Sequence, residues 1–207
     1  MNNIKVTGRF EGELVFSHEV KEQCIYTGTL MVRRSSGAVD RLNVTVPSTL
    51  MADVPESVDT PVCVEGQIRT YNREINGVFR LVVTLFAQSI LPVDYPGSEN
   101  SVELCGALCR MPNYRVTPFG REICDLMLAV NRAYGKCDYI PCVVWGANAR
   151  FAANLKTGDY LNVTGRLQSR EYQKLLDNGE YETREAIELS VFTMQQVENR
   201  WAGVRAI

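Results

Sequence analysis

Short segments in which apolar and polar residues alternate occur throughout the chain, and a period of two predicts β-strands. In the second half such segments cover residues 102–109, 122–133, 138–145, 159–172 and 181–196. An Asp-Asn-Gly at 177–179 predicts a hairpin turn between the last two strands, and Asn-Gly at 76–77 lies in the corresponding place of the first half. The pattern therefore predicts a protein built mainly of antiparallel strands.

One segment has the period of a helix instead. Ala147, Phe151 and Leu155 recur every four residues, and Gly158 follows where a helix would end. Five strands with a helix between the third and the fourth is the element order of an OB-fold, a small Greek-key barrel.

The strand at 138–145 is amphipathic in an unusual way. Successive side chains point to opposite faces of a strand, so one face carries Ile140, Cys142 and Val144. The opposite face carries Tyr139, Pro141, Val143 and Trp145. The first face suits a core, and the second raises the question of what exposed rings would contact.

The two halves of the chain repeat each other. Residues 31–47 align without gaps on 129–145 at an offset of 98, and 62–72 align on 161–171 at an offset of 99. Apolar parity and glycines coincide, as do Arg34 with Arg132 and Asp40 with Asp138. Residues 94–101 have the Pro, Gly, Ser and Asn content of a linker. We therefore expect an all-β chain of two OB-fold domains in tandem, each a five-stranded Greek-key barrel with at most one short helix. The expected bounds are 1–95, a linker at 96–101, 102–198, and a short tail at 199–207.

Charge is unevenly distributed along the chain. The net charge is −2, yet residues 110–174 contain ten basic and five acidic side chains, which gives the local positive potential that phosphate groups need. In 165–174 basic and aromatic residues share one strand face: Arg166, Arg170, Tyr172 and Lys174. A single strand offers a flat base and one charge per nucleotide, so this face suits it.

Several function classes are disfavoured. No run approaches the roughly 20 apolar residues of a membrane span, and the N-terminus lacks the features of a secretory signal, so we expect a cytoplasmic protein. The chain has seven Cys, an odd number. A zinc site at Cys105 and Cys109 is disfavoured, because they form no C-x2-C pair and the single His of the chain, His18, is far away in sequence. No phosphate loop or nucleophile elbow occurs. We expect no metal, no cofactor and no catalysis.

The second half resembles the bacterial single-stranded DNA-binding protein family over nearly all of residues 104–198. The resemblance is carried by CGALCRMPNYRVTPFGREICDLMLAVNR, by DYIPCVVWGANARFAANLKTGDYLNVTGRLQSREY and by YETREAIELSV. It implies base-stacking rings at Tyr134, Tyr139, Trp145 and Tyr172, with Arg115 and Arg170 near phosphates. Arg132, Arg166 and Lys174 complete the residues expected to bind nucleic acid.

The first half resembles the same family weakly. At the positions of the four rings it has Ser36, Arg41, Pro47 and Arg73, so its face changes from aromatic to basic. Its weaker candidates for nucleic-acid contact are Arg34, Arg41, Arg69, Tyr71 and Arg73. We expect this domain to bind DNA weakly and to serve mainly in pairing subunits.

The expected function is sequence-independent binding of single-stranded DNA in replication, recombination or repair. The resemblance implies a homodimer that presents four OB-folds, with replication or recombination proteins as further partners. The family's acidic C-terminal tip has no counterpart in VENRWAGVRAI, which a phage, mobile-element or primosome-type protein would tolerate. Two alternatives stay open: a primosomal-type protein-interaction adaptor built on OB-folds, and a single-stranded RNA binder.

Overall fold

The computed structural model describes residues 1–75, 77–95, 97–175 and 179–198, without the side chain of Tyr134. The predicted turns at 76–77 and 177–179 lie partly outside the described residues, and the predicted tail at 199–207 lies wholly outside them.

The chain divides into two compact units. The N-terminal unit combines residues 3–101 with 167–188, and the C-terminal unit combines residues 1–2 and 102–166 with the segment that begins at Leu189. Residues 167–175 and 181–188, which we call the arm, therefore group with the N-terminal residues.

The N-terminal unit contains a barrel of six strands. They are β1 (Asn2–Phe10), β2 (Val15–Val20), β3 (Gln23–Arg33), β4 (Val39–Pro47), β5 (Val62–Ile75) and β6 (Val78–Pro92). They pair in the order β2-β3-β4-β6-β5-β1, and β1 also pairs with β3, which closes the barrel. A short 3-10 helix at Ser48–Asp53 follows β4. The parallel pairing of β4 with β6 gives the barrel a crossover connection.

The C-terminal barrel has the same plan. Its strands are β7 (Asn100–Leu108), β8 (Asn113–Val116), β9 (Glu122–Asn131), β10 (Cys137–Trp145), β11 (Tyr160–Leu175) and β12 (Tyr181–Val197), and the helix α1 (Ala147–Ala152) follows β10. They pair in the order β7-β11-β12-β10-β9-β8, and β7 also pairs with β9. The predicted all-β tandem OB-fold class is confirmed. The structure adds the short strand β8 and a 3-10 turn at Ala133–Gly135.

The internal repeat of the sequence recurs in the ladders of the two barrels. Arg9 pairs with Met31 in one barrel, and Ala107 pairs with Ala129 in the other, which is the offset of 98 at both positions. Gly8 of β1 pairs with Val62 of β5, and Gly106 of β7 pairs with Leu161 of β11. The two glycines differ by the offset of 98, and their partners differ by the offset of 99. Equivalent residues of the two halves therefore occupy equivalent strand positions.

Two repeated glycines are required by close backbone approach. A Cβ at Gly66 would overlap the carbonyl oxygen of Phe86, and a Cβ at Gly165 would overlap that of Ser190. Neither contact is with a flexible side chain, so substitution would force the strands apart. At these glycines β5 and β11 run close to the backbones of β6 and β12.

The buried row of β10 follows the predicted parity, with one exception in that strand. Ile140, Cys142 and Val144 are at most 2% exposed, as predicted for the inward face of β10. Val143 was predicted to point outward but is also buried. It lies where β10 is flanked on both sides, by Asp125 of β9 and Ser190 of β12, and these neighbours cover it.

Candidate nucleic-acid interface

Two aromatic rings stand exposed on the outward face of β10. Tyr139 is 48% exposed and Trp145 is 42% exposed. They are six positions apart, which at about 3.3 Å per residue places the two residues about 20 Å apart along the strand. Large exposed rings on a strand are what base stacking requires.

The strand that carries the rings is held along its whole length. β10 pairs with β9 from Cys137 opposite Asn131 to Trp145 opposite Ile123. On its other edge β10 pairs in parallel with β12. The buried inward row fixes which way the strand faces, because a shift of one residue would turn that row outward. The rings are thus presented by a rigid element.

Arg115 lies on β8, where it is engaged by an acidic neighbour. Its Nε lies 3.0 Å from Oδ2 of Asp125, and the side chains are 48% and 30% exposed. An ion pair this exposed contributes about 0–1 kcal/mol, so a phosphate can displace the carboxylate. The predicted contact of Arg115 with phosphate stays a prediction.

Tyr114, beside Arg115, is a further exposed ring that the sequence did not single out. Its hydroxyl donates a 2.6 Å hydrogen bond to Glu122. This hydrogen bond, with smaller contributions from desolvation and the negative charge of Glu122, raises the pKa of Tyr114. The short strand β8 was not predicted, which is why its ring was missed.

Arg132 is tied within its own hairpin. Its Nε donates a 2.5 Å hydrogen bond to Oδ2 of Asp138, and a second bond joins its Nη2 to Oδ1. Asp138 is fully buried. The pair clamps the turn between β9 and β10, where the N–H of Arg132 also donates to the carbonyl of Lys136. The predicted contact of Arg132 with nucleic acid remains untested beside this structural role.

Arg166 lies over an aromatic ring of the same unit. Its guanidinium carbon is 5.8 Å from the centroid of Phe192, and Phe192 is 55% exposed. The C-terminal unit therefore presents a further exposed ring, on β12, with a cation beside it. The sequence did not indicate Phe192 as an exposed ring, because its neighbour Val191 is also apolar and alternation alone does not assign either residue to the outward face.

The arm carries the remaining predicted residues of the second half. Tyr172 and Lys174 are exposed, and the guanidinium of Arg170 lies 5.5 Å from the ring centroid of Tyr172. Arg170 also approaches Glu188, with 3.5 Å between Nε and Oε1. The side chain of Tyr134, the fourth predicted ring, is not among the parts of the chain that the structure describes.

Three hydrogen bonds fasten the arm to β4 and its preceding turn in the N-terminal unit. The N–H of Ser169 donates to Oδ1 of Asp40 at 2.7 Å. The N–H of Arg41 donates to Oγ of Ser169 at 3.0 Å, and Arg34 donates to the carbonyl of Ser169 at 3.2 Å. Arg34 also binds both oxygens of the fully buried Asp40, and these hydrogen bonds raise the pKa of Arg34. Arg34 and Asp40 thus form the counterpart of the Arg132 clamp.

The outward face of the N-terminal barrel has a groove with both polar and apolar walls. Its volume is about 690 Å³, and its lining includes Thr27 and Thr29 of β3, Asn43 and Thr45 of β4, and Tyr71 and Arg73 of β5, together with apolar residues such as Phe16 and Val82. Tyr71 is 46% exposed, so one predicted ring is available in it. Asn43, Thr45 and Arg73 are the counterparts of Pro141, Val143 and Tyr172, so hydroxyl, amide and cationic groups replace an apolar surface.

The other candidates on this barrel have partners of their own. Arg41 forms an ion pair with Glu11, with 2.5 Å between Nη2 and Oε2. Arg69 donates to Gln67. Within the described residues, no group of three or more His, Cys, Asp and Glu side chains is placed to hold a metal ion. No helix among them is both long and apolar enough to cross a membrane.

The geometry defines the class of protein as a tandem OB-fold chain with exposed rings on barrel strands. Residues 99–196 match the sequence model of the single-strand binding protein family. The predicted resemblance of the second half to this family is confirmed.

Named relatives agree with the match. The chain is 42% identical over 81 residues to single-stranded DNA-binding protein 2 of Listeria innocua, which covers 36% of this chain and 51% of the relative. It is 41% identical over 81 residues to single-stranded DNA-binding protein A of Bacillus subtilis, which covers 36% and 47%. The chain thus spans about half the length of these curated relatives.

A solved structure matches the whole chain. The wild-type single-stranded DNA binding protein of Thermus aquaticus superposes with a TM-score of 0.74 over 100% of this chain and 96% of that protein, at 22% identity. At this identity the match establishes the fold, including the weakly similar first half.

Proposed function

We propose that this chain binds single-stranded DNA without sequence preference, by stacking bases on exposed rings and by contacting phosphates. The observation that carries the proposal is the pair Tyr139 and Trp145, which are 48% and 42% exposed on one strand whose opposite row is buried. The names of the matched relatives support the same function for the segment they cover.

Base stacking on the rings contributes more to the affinity for single-stranded DNA than the phosphate contacts do. Stacking contributes about 1–3 kcal/mol per base and is tolerant of sequence, because every base has a flat face. Arg115 on β8 can exchange its carboxylate partner for a phosphate, because its ion pair with Asp125 is exposed. Binding is therefore only moderately sensitive to salt.

The proposed setting is the cytoplasm, where the chain acts in replication, recombination or repair as a binder without catalysis. Two chains pair to present four OB-folds, since closed two-fold pairing is the commonest assembly. In this proposal the domains divide the work at the bounds expected from the sequence. The C-terminal barrel supplies most of the affinity, and the N-terminal barrel binds more weakly through Tyr71 and Arg73.

A length series of labelled oligo-dT tests the proposal by fluorescence anisotropy with the full chain. We expect tight binding whose stoichiometry, in nucleotides per chain, reports how many barrels engage. Mixed-sequence DNA of equal length should bind within a few-fold of oligo-dT, whereas oligo-U measures the RNA alternative. No binding to any single strand would overturn the proposal and would leave a protein-interaction adaptor as the remaining function.

A further inference from the structure

A second cavity on the N-terminal barrel lies away from the groove at Tyr71. Its volume is about 450 Å³, and its lining includes Thr7, Gly8 and Arg9 of β1, Met31 and Arg33 of β3, and Val39 of β4. The ladder places these side chains together, because Arg9 pairs with Met31 and Arg33 pairs with Val39. Their neighbours Phe10, Leu30 and Val32 point into the core.

The cavity brings two guanidinium groups to one surface. Arg33 is exposed, and Nε of the half-buried Arg9 is buried without a hydrogen-bond acceptor in the part of the chain that the structure describes. A buried donor left without an acceptor costs free energy. An anion that enters the cavity would supply the acceptor, and arginine favours phosphate because its fork of donors matches the oxygens.

Three carboxylates of the same unit form ion pairs with cations outside the cavity. Glu11 forms its ion pair with Arg41 at 2.5 Å. Glu65 and Glu99 both approach Lys5, at 3.2 and 3.8 Å. These three carboxylates are therefore paired with Arg41 and Lys5 and not with the two arginines of the cavity.

The C-terminal barrel provides an internal comparison. At the ladder positions of Arg9, Met31, Arg33 and Val39 it has Ala107, Ala129, Asn131 and Cys137. None of these four is basic. The two arginines are thus a property of the N-terminal barrel and not a requirement of the fold that both barrels share.

We infer that the cavity between Arg9 and Arg33 is a phosphate-binding site of the N-terminal barrel. The inference rests on the proposed function for its ligand, which is a backbone phosphate of the bound single strand. Thr27 and Thr29, which line the groove at Tyr71, precede Arg33 on the same face of β3, so the cavity and this groove share one outward face. Arg33 and Thr27 lie about 20 Å apart along the strand, and a single strand that crosses this face has a phosphate anchor at one end and Tyr71 at the other.

The test uses full-length chains with single substitutions that remove one charge each. Arg9→Gln and Arg33→Gln change the cavity, and Lys21→Gln removes an exposed charge from the β2–β3 turn as the matched control. The affinity for labelled oligo-dT is measured by anisotropy over a range of NaCl concentrations. Each cavity variant should lower the slope of log K against log[NaCl] by about 0.7, the value for one phosphate contact on a single strand, and the control should not.

A second arm separates the polymer from a free anion. Pyrophosphate is titrated into the parent chain and the same variants by calorimetry, and thermal unfolding checks that each variant is folded. Lower slopes in both cavity variants identify the strand backbone as the ligand. Pyrophosphate binding that Arg33→Gln abolishes, with unchanged slopes, assigns the site to a free phosphate compound.

Unchanged slopes together with no pyrophosphate binding would overturn the inference, even if the parent chain binds oligo-dT normally. If the parent chain bound no single strand, the proposed function would fail instead, and the pyrophosphate arm would still decide whether the cavity holds phosphate. Arg33→Gln keeps the test decisive if Arg9→Gln unfolds, because Arg33 is exposed.

Discussion

The backbone N–H of Ser169 donates a 2.7 Å hydrogen bond to Oδ1 of Asp40, a carboxylate with no exposed surface. The residues are 129 positions apart in sequence, and both belong to the N-terminal unit. Asp40 also receives two hydrogen bonds from Arg34. One buried carboxylate thus closes a local turn and holds the arm on β4.

The first prediction concerns this carboxylate. Asp40→Ala leaves the Arg34 guanidinium without its carboxylate partner and the N–H of Ser169 without its acceptor, and breaking a buried ion pair costs about 3–5 kcal/mol. We expect a large loss in the free energy of unfolding, measured by urea denaturation, and faster hydrogen exchange at the amide of Ser169. Glu11→Ala, which breaks the exposed pair with Arg41, is the control and should cost about 0–1 kcal/mol. Equal effects of the two variants would show that Asp40 has no special role.

The second prediction concerns the rings of β10. Tyr139→Ala and Trp145→Ala should each weaken oligo-dT binding by about 1–3 kcal/mol, the contribution of one stacked base. Phe151→Ala removes an equally exposed ring from α1 and should leave the affinity unchanged. Anisotropy titrations at one salt concentration measure all three. If Phe151→Ala weakened binding as much as the β10 variants, stacking on β10 would not be the source of affinity.

The third prediction concerns the thiol of Cys124. Burial, with a smaller contribution from the charge of Asp125, raises its pKa from the ordinary 9.0 to about 11. A raised pKa in the folded state means that folding favours the protonated thiol. This contribution to stability is present below about pH 9 and is lost as the pH rises towards 11.

Alkylation read by peptide mass spectrometry checks that the thiol of Cys124 is buried and protonated in the folded chain. At pH 8 the folded chain should leave Cys124 unmodified with iodoacetamide, while the less buried Cys105 and Cys109 react. In urea all three should react at similar rates. Rapid labelling of Cys124 in the folded chain would show that the thiol is accessible as a thiolate.

Much of the fold follows from local pattern. The parity of β10 predicts which row is buried, since Ile140, Cys142 and Val144 have no polar atoms to leave in water. The repeat at an offset of 98 predicts equivalent strand positions, and the ladders reproduce it at Arg9 and Ala107. These features depend on residues that are neighbours in sequence or in one strand.

The parts that the sequence did not predict depend on pairing between distant strands. Val143 is buried because β12 flanks it, and parity within β10 carries no information on that. The sequence repeat aligns Arg34 with Arg132 and Asp40 with Asp138, but it does not show that each arginine binds its aspartate. Only the folded hairpins show these bidentate hydrogen bonds. The hydrogen bond from Ser169 to Asp40 forms only because the arm lies on β4, and the local sequence pattern does not indicate that packing.

The most direct measurement of the central claim is the fluorescence of Trp145 during titration with unlabelled oligo-dT. Trp201→Phe removes the other tryptophan, which lies outside the described residues, so the signal comes from one ring. We predict strong, saturable quenching, because a base stacked on the indole quenches its emission. Saturable binding by anisotropy with an unchanged Trp145 spectrum would contradict it, since DNA would then bind without touching the exposed face of β10.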